Sequence, residues 1–133
     1  MRAWIDAPAA AAFLARMNDE ELAAAWYAAW NARDLDAIAA LYADDIEFAS
    51  PFVSALGFGP DGVIHGKAMF RAYVEAALPR IPDISFAPEA LTIGARGHTL
   101  IYRNQTGVLV AESHEIDEDG LIIRADASYE ASR

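Results

Sequence analysis

Residues 108–117, VLVAESHEID, decide how the rest of the chain is interpreted. Apolar and polar residues alternate there, which is typical of a β-strand with one face in a core. The face that carries Val108 and Val110 also carries Glu112 and His114. A carboxyl group and an imidazole on a core-facing side cost free energy unless they have polar partners or a ligand. The strand is therefore the first candidate for a functional site.

The bulk properties exclude several classes of protein. The 133 residues, 55% hydrophobic and 23% charged, predict one compact domain over residues 1–133. A formal net charge of −10 argues against partners such as nucleic acid or an anionic membrane surface. The absence of cysteine excludes disulfides and zinc–thiolate sites, and it fits a reducing cytoplasm. No apolar run is long enough to cross a membrane, so we expect a cytoplasmic protein.

Helical periodicity dominates the first third of the chain. Residues 6–18 predict a short first helix, and residues 21–33 predict a second, in which Trp26 and Trp30 recur on one face. Residues 33–45 predict a third helix, capped by Asp34, with Tyr42 in its apolar stripe.

The spacing of the apolar residues then changes to the two-residue period of β-strands. Residues 45–53 alternate, with Phe48 and Ser50 on one side, and Pro51 limits the strand. Residues 54–62 read as a loop. A brief strand and a helix follow within residues 63–80. The remaining strands are predicted over residues 84–95, 98–104, 107–117 and 121–131. This order predicts an α+β fold in which N-terminal helices pack on one face of a curved antiparallel sheet.

In such a fold the inward face of the 107–117 strand lines a pocket. Glu112 would then lie among apolar groups such as Trp26, Trp30 and Phe48. Burial without a cationic partner favours the neutral form of a carboxyl group, which suits a general acid or base near neutral pH. His114, on the same face, would exchange the second proton.

Two other interpretations remain open. A bulge would shift the alternation by one residue, turning Glu112 and His114 outward and Ser113 and Glu115 inward. A buried Glu–His pair is also found as a purely structural hydrogen bond. The three histidines lie on separate segments without metal-ligand spacing, and GFGPDG (57–62) lacks the lysine and hydroxyl of a phosphate loop. The sequence therefore predicts neither a metal site nor a cofactor.

Three stretches carry a resemblance to a known family: AWNARDLDAIAALYADDIEFASPFV (29–53), VIHGKAMFRAYV (63–74) and HEIDEDGLIIRADASY (114–129). They resemble the nuclear transport factor 2-like superfamily, and within it the SnoaL-like and ketosteroid isomerase-like proteins. The resemblance covers nearly the whole chain. It implies a cone-shaped α+β barrel, an apolar pocket at its open end and a homodimer formed through the sheet.

The resemblance also implies roles for single residues. Trp26 stands in the place of the isomerase's oxyanion tyrosine, and Ser50 in that of its general-base aspartate. Glu112 matches the third functional position, a pocket carboxylic acid, and SnoaL-like cyclases use an acidic residue on this sheet. The related limonene epoxide hydrolases use an arginine and two aspartates, part of which Arg103 and Glu112 would mimic.

Two functions follow as expectations. The first is a cofactor-independent isomerase, cyclase or hydrolase of a small apolar substrate, with Glu112 and His114 as the catalytic residues. The residues expected to contact the substrate are Trp26, Trp30, Tyr42, Phe48, Ser50, Arg103 and Tyr129. The second is a binding or scaffold protein with the same pocket and no chemistry. The loop over residues 54–62 is expected to form a lid.

Overall fold

The structure, a computed structural model, describes residues 17–132. The helix predicted over residues 6–18 lies almost wholly outside this range. The elements are α1 (Asp19–Asn31), α2 (Leu35–Ala39), β1 (Tyr42–Ala49), α3 (Pro51–Ala55), β2 (Val63–His65), α4 (Lys67–Ala77), a 3₁₀ turn (Leu78–Arg80), β3 (Ala87–Ile93), β4 (Gly97–Arg103), β5 (Leu109–Ile116) and β6 (Ile122–Tyr129).

Helix α1 begins with a capping box. The Asn18 side chain accepts a 2.8 Å hydrogen bond from the Glu21 backbone N–H, and the Glu21 carboxylate accepts one of 3.0 Å from the Asn18 N–H. Trp26 and Trp30 are both buried on one face of this helix, as their spacing predicts.

The third predicted helix is shorter than expected. Helix α2 ends at Ala39, so the placement of Tyr42 on a helix is wrong. Tyr42 instead begins β1, where it is paired with Ile122 of β6, and the Ile122 N–H donates to the Leu41 carbonyl at 2.9 Å. Because pairing with a distant strand supplies these hydrogen bonds, it overrides a local helical pattern.

The six strands form one curved sheet in the order β2-β1-β6-β5-β4-β3, which confirms the α+β prediction. Four strand pairs are antiparallel, whereas β1 and β6 run parallel. These two strands are far apart in sequence, so no hairpin fixes their relative direction. Within residues 17–132 no helix is long and apolar enough to cross a membrane.

The alternation along β5 has the predicted phase. Val110, Glu112 and His114 are buried, whereas Ser113 is exposed. The register irregularity with β6 falls only after Glu115, so no shift reverses the faces. The inner face of the sheet therefore carries an acid and an imidazole among apolar side chains, beneath α1 and α4.

Candidate functional site

A cavity of about 400 Å³ lies on the inner face of the sheet. Six of the residues predicted to be at the site line it: Trp26, Trp30, Phe48, Ser50, Glu112 and Tyr129. The sequence interpretation missed most of the other lining residues, including Phe52, Tyr73, Arg80, Phe86, Tyr102, Asn104 and Gln105. The wall is mainly aromatic and aliphatic, and Glu112 is the one carboxylic acid in it among the residues described.

Glu112 is 4% exposed and bonded through both oxygens. Its Oε2 lies 2.8 Å from His114 Nε2, and its Oε1 accepts a long 3.4 Å hydrogen bond from the Tyr102 hydroxyl. Burial raises the pKa of Tyr102 far above its ordinary value, and a charge on Glu112 would raise it further. The Tyr102 hydroxyl therefore stays protonated as a donor, and Oε1 is the oxygen less tightly engaged.

His114 connects Glu112 to a second buried histidine. His114 Nδ1 lies 3.0 Å from His98 Nε2, and His98 Nδ1 lies 2.9 Å from Asp19 Oδ1 at the start of α1. Both imidazoles are buried, whereas the Asp19 side chain is 36% exposed. Burial lowers the pKa of His98 below its ordinary value, although its hydrogen bond to Asp19 acts in the opposite direction. Asp19, His98, His114 and Glu112 form one hydrogen-bond chain from the surface to the cavity.

The two histidines meet because β4 and β5 pair closely at Gly97. His98 and His114 are directly opposite each other in the antiparallel register, and Gly97 is opposite Glu115. A Cβ atom on Gly97 would collide with the backbone carbonyl of His114. Only glycine therefore fits this strand spacing.

Tyr42 is fully buried and is not among the residues that line the cavity. Its hydroxyl accepts a 2.9 Å hydrogen bond from the indole Nε1 of Trp26. Tyr42 was expected to contact the substrate, but it lies behind the cavity wall. There it positions Trp26 through this hydrogen bond.

Arg103 lies on the outer side of β4. Its guanidinium donates to the Gly107 carbonyl at 3.1 Å and contacts Glu89 at 3.3 Å and Glu130 at 3.5 Å. Because His98, Leu100 and Tyr102 take the inward positions of this strand, Arg103 must point away. Its predicted place beside the substrate is wrong, and Tyr102 occupies the position that the same alternation would have indicated.

Ser50 is buried at the cavity and caps α3. Its Oγ accepts a 3.2 Å hydrogen bond from the Phe52 N–H, and Pro51 takes the first helical position. Burial raises the pKa of Tyr73 to about 12, although hydrogen bonding with Ser50 partly opposes this rise. Ser50 thus serves as a helix cap at the cavity wall, and within residues 17–132 its hydroxyl has no hydrogen bond to a histidine or carboxylate that would activate it as a nucleophile.

The comparisons with known proteins agree with this fold. Residues 23–125 match the SnoaL-like domain family. A SnoaL-like protein of unknown function from Burkholderia thailandensis E264 has a TM-score of 0.80 and 34% identity, over 85% of this chain and 94% of its own.

Two more distant structures share the fold. A putative ketosteroid isomerase from Kribbella flavida has a TM-score of 0.66 and 18% identity, over 84% of this chain and 77% of its own. A putative polyketide cyclase from Sinorhizobium meliloti has a TM-score of 0.67 and 16% identity, over 80% and 93%. None of the curated proteins is significantly similar to the chain. Because the family match spans most of its length, the chain belongs to the SnoaL-like domain family.

Proposed function

We propose that the protein is a cofactor-independent acid/base enzyme of the SnoaL-like type that acts on a small, mainly apolar substrate inside the cavity. The observation that carries this proposal is Glu112. It is a carboxyl group in an apolar cavity, with a short bond to His114 through Oε2 and a loosely held Oε1. A positioned carboxyl group with one accessible oxygen suits proton removal from a substrate and its return to another atom.

Isomerisation or aldol-type ring closure fits better than hydrolysis. An epoxide hydrolase-like arrangement needs a cation and a second acid beside the water. Arg80 lines the cavity, but Glu112 is the one acid there among the described residues. Proton removal and return need a single acid/base group and an electrostatic partner for the developing oxyanion. The Tyr102 hydroxyl, which lines the cavity 3.4 Å from Glu112 Oε1, is a donor for that role.

The cavity also favours particular substrate features. Phe86 stacks on Trp26 with ring centroids 5.7 Å apart, and Tyr102 lies 4.7 Å from Phe86. Such a wall suits a flat, unsaturated carbon skeleton. The Oε1 of Gln105 is buried without a hydrogen-bond partner within residues 17–132, so a hydroxyl or amide donor on the substrate would satisfy it.

Deuterium incorporation from D₂O into a panel of small enolisable ketones tests this function without knowledge of the natural substrate. The wild-type protein should exchange the acidic carbon protons of the ketones that it binds. Glu112→Gln should slow the exchange on the order of a hundredfold or more, because the amide cannot accept the proton. Glu115→Gln, on the same strand but not lining the cavity, is the matched control. Equal exchange by Glu112→Gln and wild type would refute the proposal.

A second candidate is a non-catalytic protein that binds a small ligand. The observation that favours it is Ser50, which stands where the resembling isomerases carry their general base and which is used here as a helix cap. In that case native mass spectrometry of the purified protein should detect a retained small molecule. Glu112→Gln would then change its affinity modestly, and no ketone would exchange.

A further inference from the structure

We propose that Asp19, His98 and His114 are a proton relay that connects Glu112 in the cavity with solvent at the start of α1. The inference deepens the proposed function, on which it rests for its use in catalysis. It assigns positioning roles to Asp19 and His98, two residues that do not line the cavity.

A count of protons along the hydrogen-bond chain supports the relay. The hydrogen-bond chain has three short gaps, of 2.9 Å from Asp19 to His98, 3.0 Å between the histidines, and 2.8 Å from His114 to Glu112. Each gap needs one proton, because two facing lone pairs repel each other. Two neutral imidazoles supply two protons, so the chain holds a third. We assign that proton to the enclosed gap between Glu112 and His114, which leaves the negative charge on Asp19, whose side chain is 36% exposed to water whereas Glu112 is 4% exposed.

With this assignment, the resting arrangement has one proton in each gap. Glu112 carries a proton on Oε2 and donates it to His114 Nε2. His114 Nδ1–H then donates to His98 Nε2, and His98 Nδ1–H donates to the Asp19 carboxylate. Every polar atom in the chain has its partner, and one negative charge rests at the exposed end.

Proton transfer through this arrangement balances. A substrate X–H bond breaks as an O–H bond forms at Glu112 Oε1, and the Oε2 proton passes to His114 Nε2. The Nδ1 protons of His114 and His98 move one gap each, to His98 Nε2 and to Asp19. Four bonds to hydrogen break, four form, and nothing is oxidised or reduced. The substrate gains the negative charge that Asp19 loses, and Glu112 remains neutral.

The transfer leaves both imidazoles in the opposite tautomer. The relay must therefore carry a proton back before it acts again, and that return protonates the substrate from Glu112 Oε1. A reaction that removes and then returns one proton resets the relay in each turnover. This property suits isomerisation or ring closure.

The side chains around His114 limit the routes by which its ring proton can leave. The His114 imidazole is enclosed by Trp26 and Tyr42, with ring centroids at 5.7 and 6.5 Å, and by His98 at 5.1 Å. Its side chain is 0% exposed. The chain therefore has two ends, Glu112 at the cavity and Asp19 at the surface, and Asp19 is the end that stays in contact with water when a ligand fills the cavity.

The test is the exchange rate of the His114 ring N–H with water, measured by NMR on protein with ¹⁵N-labelled histidine whose cavity is filled by a non-enolisable aromatic ketone such as benzophenone, so that exchange through Glu112 is blocked. Asp19→Asn keeps the shape but cannot take up the proton. The relay predicts slower exchange, on the order of a hundredfold. If the hydrogen-bond chain is purely structural, the exchange rate should be unchanged or faster. Exchange would then require a local opening of the fold, and loss of the Asp19 charge makes that opening easier. Either of those results would overturn the proposal.

Two further variants sharpen the result. Glu20→Gln removes a neighbouring exposed carboxylate from the same turn of α1, and it should leave the rate within about twofold of wild type. His98→Gln interrupts the relay and should slow exchange as Asp19→Asn does, with no further slowing in the double variant. Additive slowing would contradict a single route. Because this measurement needs no turnover, the relay and the ketone exchange of the proposed function can fail separately.

Discussion

The side-chain amide of Asn31, the last residue of α1, bonds both ways to the backbone of Phe86. Its Oδ1 accepts from the Phe86 N–H at 2.8 Å, and its Nδ2 donates to the Phe86 carbonyl at 3.1 Å. A polar residue at the end of a helix thereby fixes the aromatic side chain that stacks on Trp26 in the cavity wall.

Removal of the two hydrogen bonds between Asn31 and Phe86 should loosen the cavity wall and lower the stability of the fold modestly. Asn31→Ala should lower the free energy of unfolding by about 1–2 kcal/mol, because two partly solvated hydrogen bonds are lost. Asn31→Asp keeps the acceptor for the Phe86 N–H but turns a carboxylate oxygen towards the Phe86 carbonyl, so it should not recover the loss. Urea unfolding measures both, and wild-type stability of Asn31→Ala would show that the two hydrogen bonds contribute nothing.

The buried bond between Trp26 and Tyr42 gives a second prediction. Tyr42→Phe leaves the Trp26 indole N–H buried without this acceptor, which should cost about 1–3 kcal/mol. Trp26→Ala should cost about 3–5 kcal/mol as a large-to-small substitution in the core. The double variant should lose clearly less than the sum, because the unpaired N–H is absent from it. Strict additivity in a denaturation cycle would argue that the 2.9 Å contact is not a stabilising bond.

Alkaline pH should destabilise the fold through Tyr73. Burial raises its pKa to about 12 from 10.0, so between these values the unfolded chain releases a proton that the folded chain retains. The contribution is fully present below pH 10 and should decrease, by roughly 2–3 kcal/mol in all, as the pH approaches 12. Tyr73→Phe should show a smaller loss over this interval when stability is measured at several pH values. The same slope in both proteins would contradict the assignment.

Assembly gives a fourth prediction. The resemblance implies a homodimer through the outer face of the sheet, where Ile101, Ala111 and Ser128 are neighbours on three adjacent strands. Ala111→Glu would bury a charge in such an interface and should shift the protein to monomers in light scattering. Ser54→Glu adds the same charge on α3 and should not. A wild-type monomer at micromolar concentration would contradict the prediction directly.

The sequence predicted what depends on local periodicity. The phase of β5 followed from alternation, and Asn18 with Glu21 marked the start of α1. The helix through Tyr42 failed because its competitor was a hydrogen bond to β6, about 80 residues later, which no local pattern reveals.

The hydrogen-bond chain was missed for the same reason. His98 and His114 are 16 residues apart, and Asp19 is 79 residues from His98, so only the strand register and the helix position bring them together. The alternation of residues 98–102 could have indicated that His98 and Tyr102 face inward. It could not have indicated that His98 lies directly opposite His114, which depends on the length of the β4–β5 turn.

The tight spacing at Gly97 offers a sequence marker. Since a side chain there would collide with the His114 carbonyl, a relative that carries a larger residue at this position must separate its two strands or change their register. Glycine followed by histidine, together with a Glu-x-His on the next strand and an acid at the start of the first long helix, is a signature that can be sought in other genomes. Family members that share all three elements are expected to share the same chemistry, and those that lost the glycine are expected to have diverged from it.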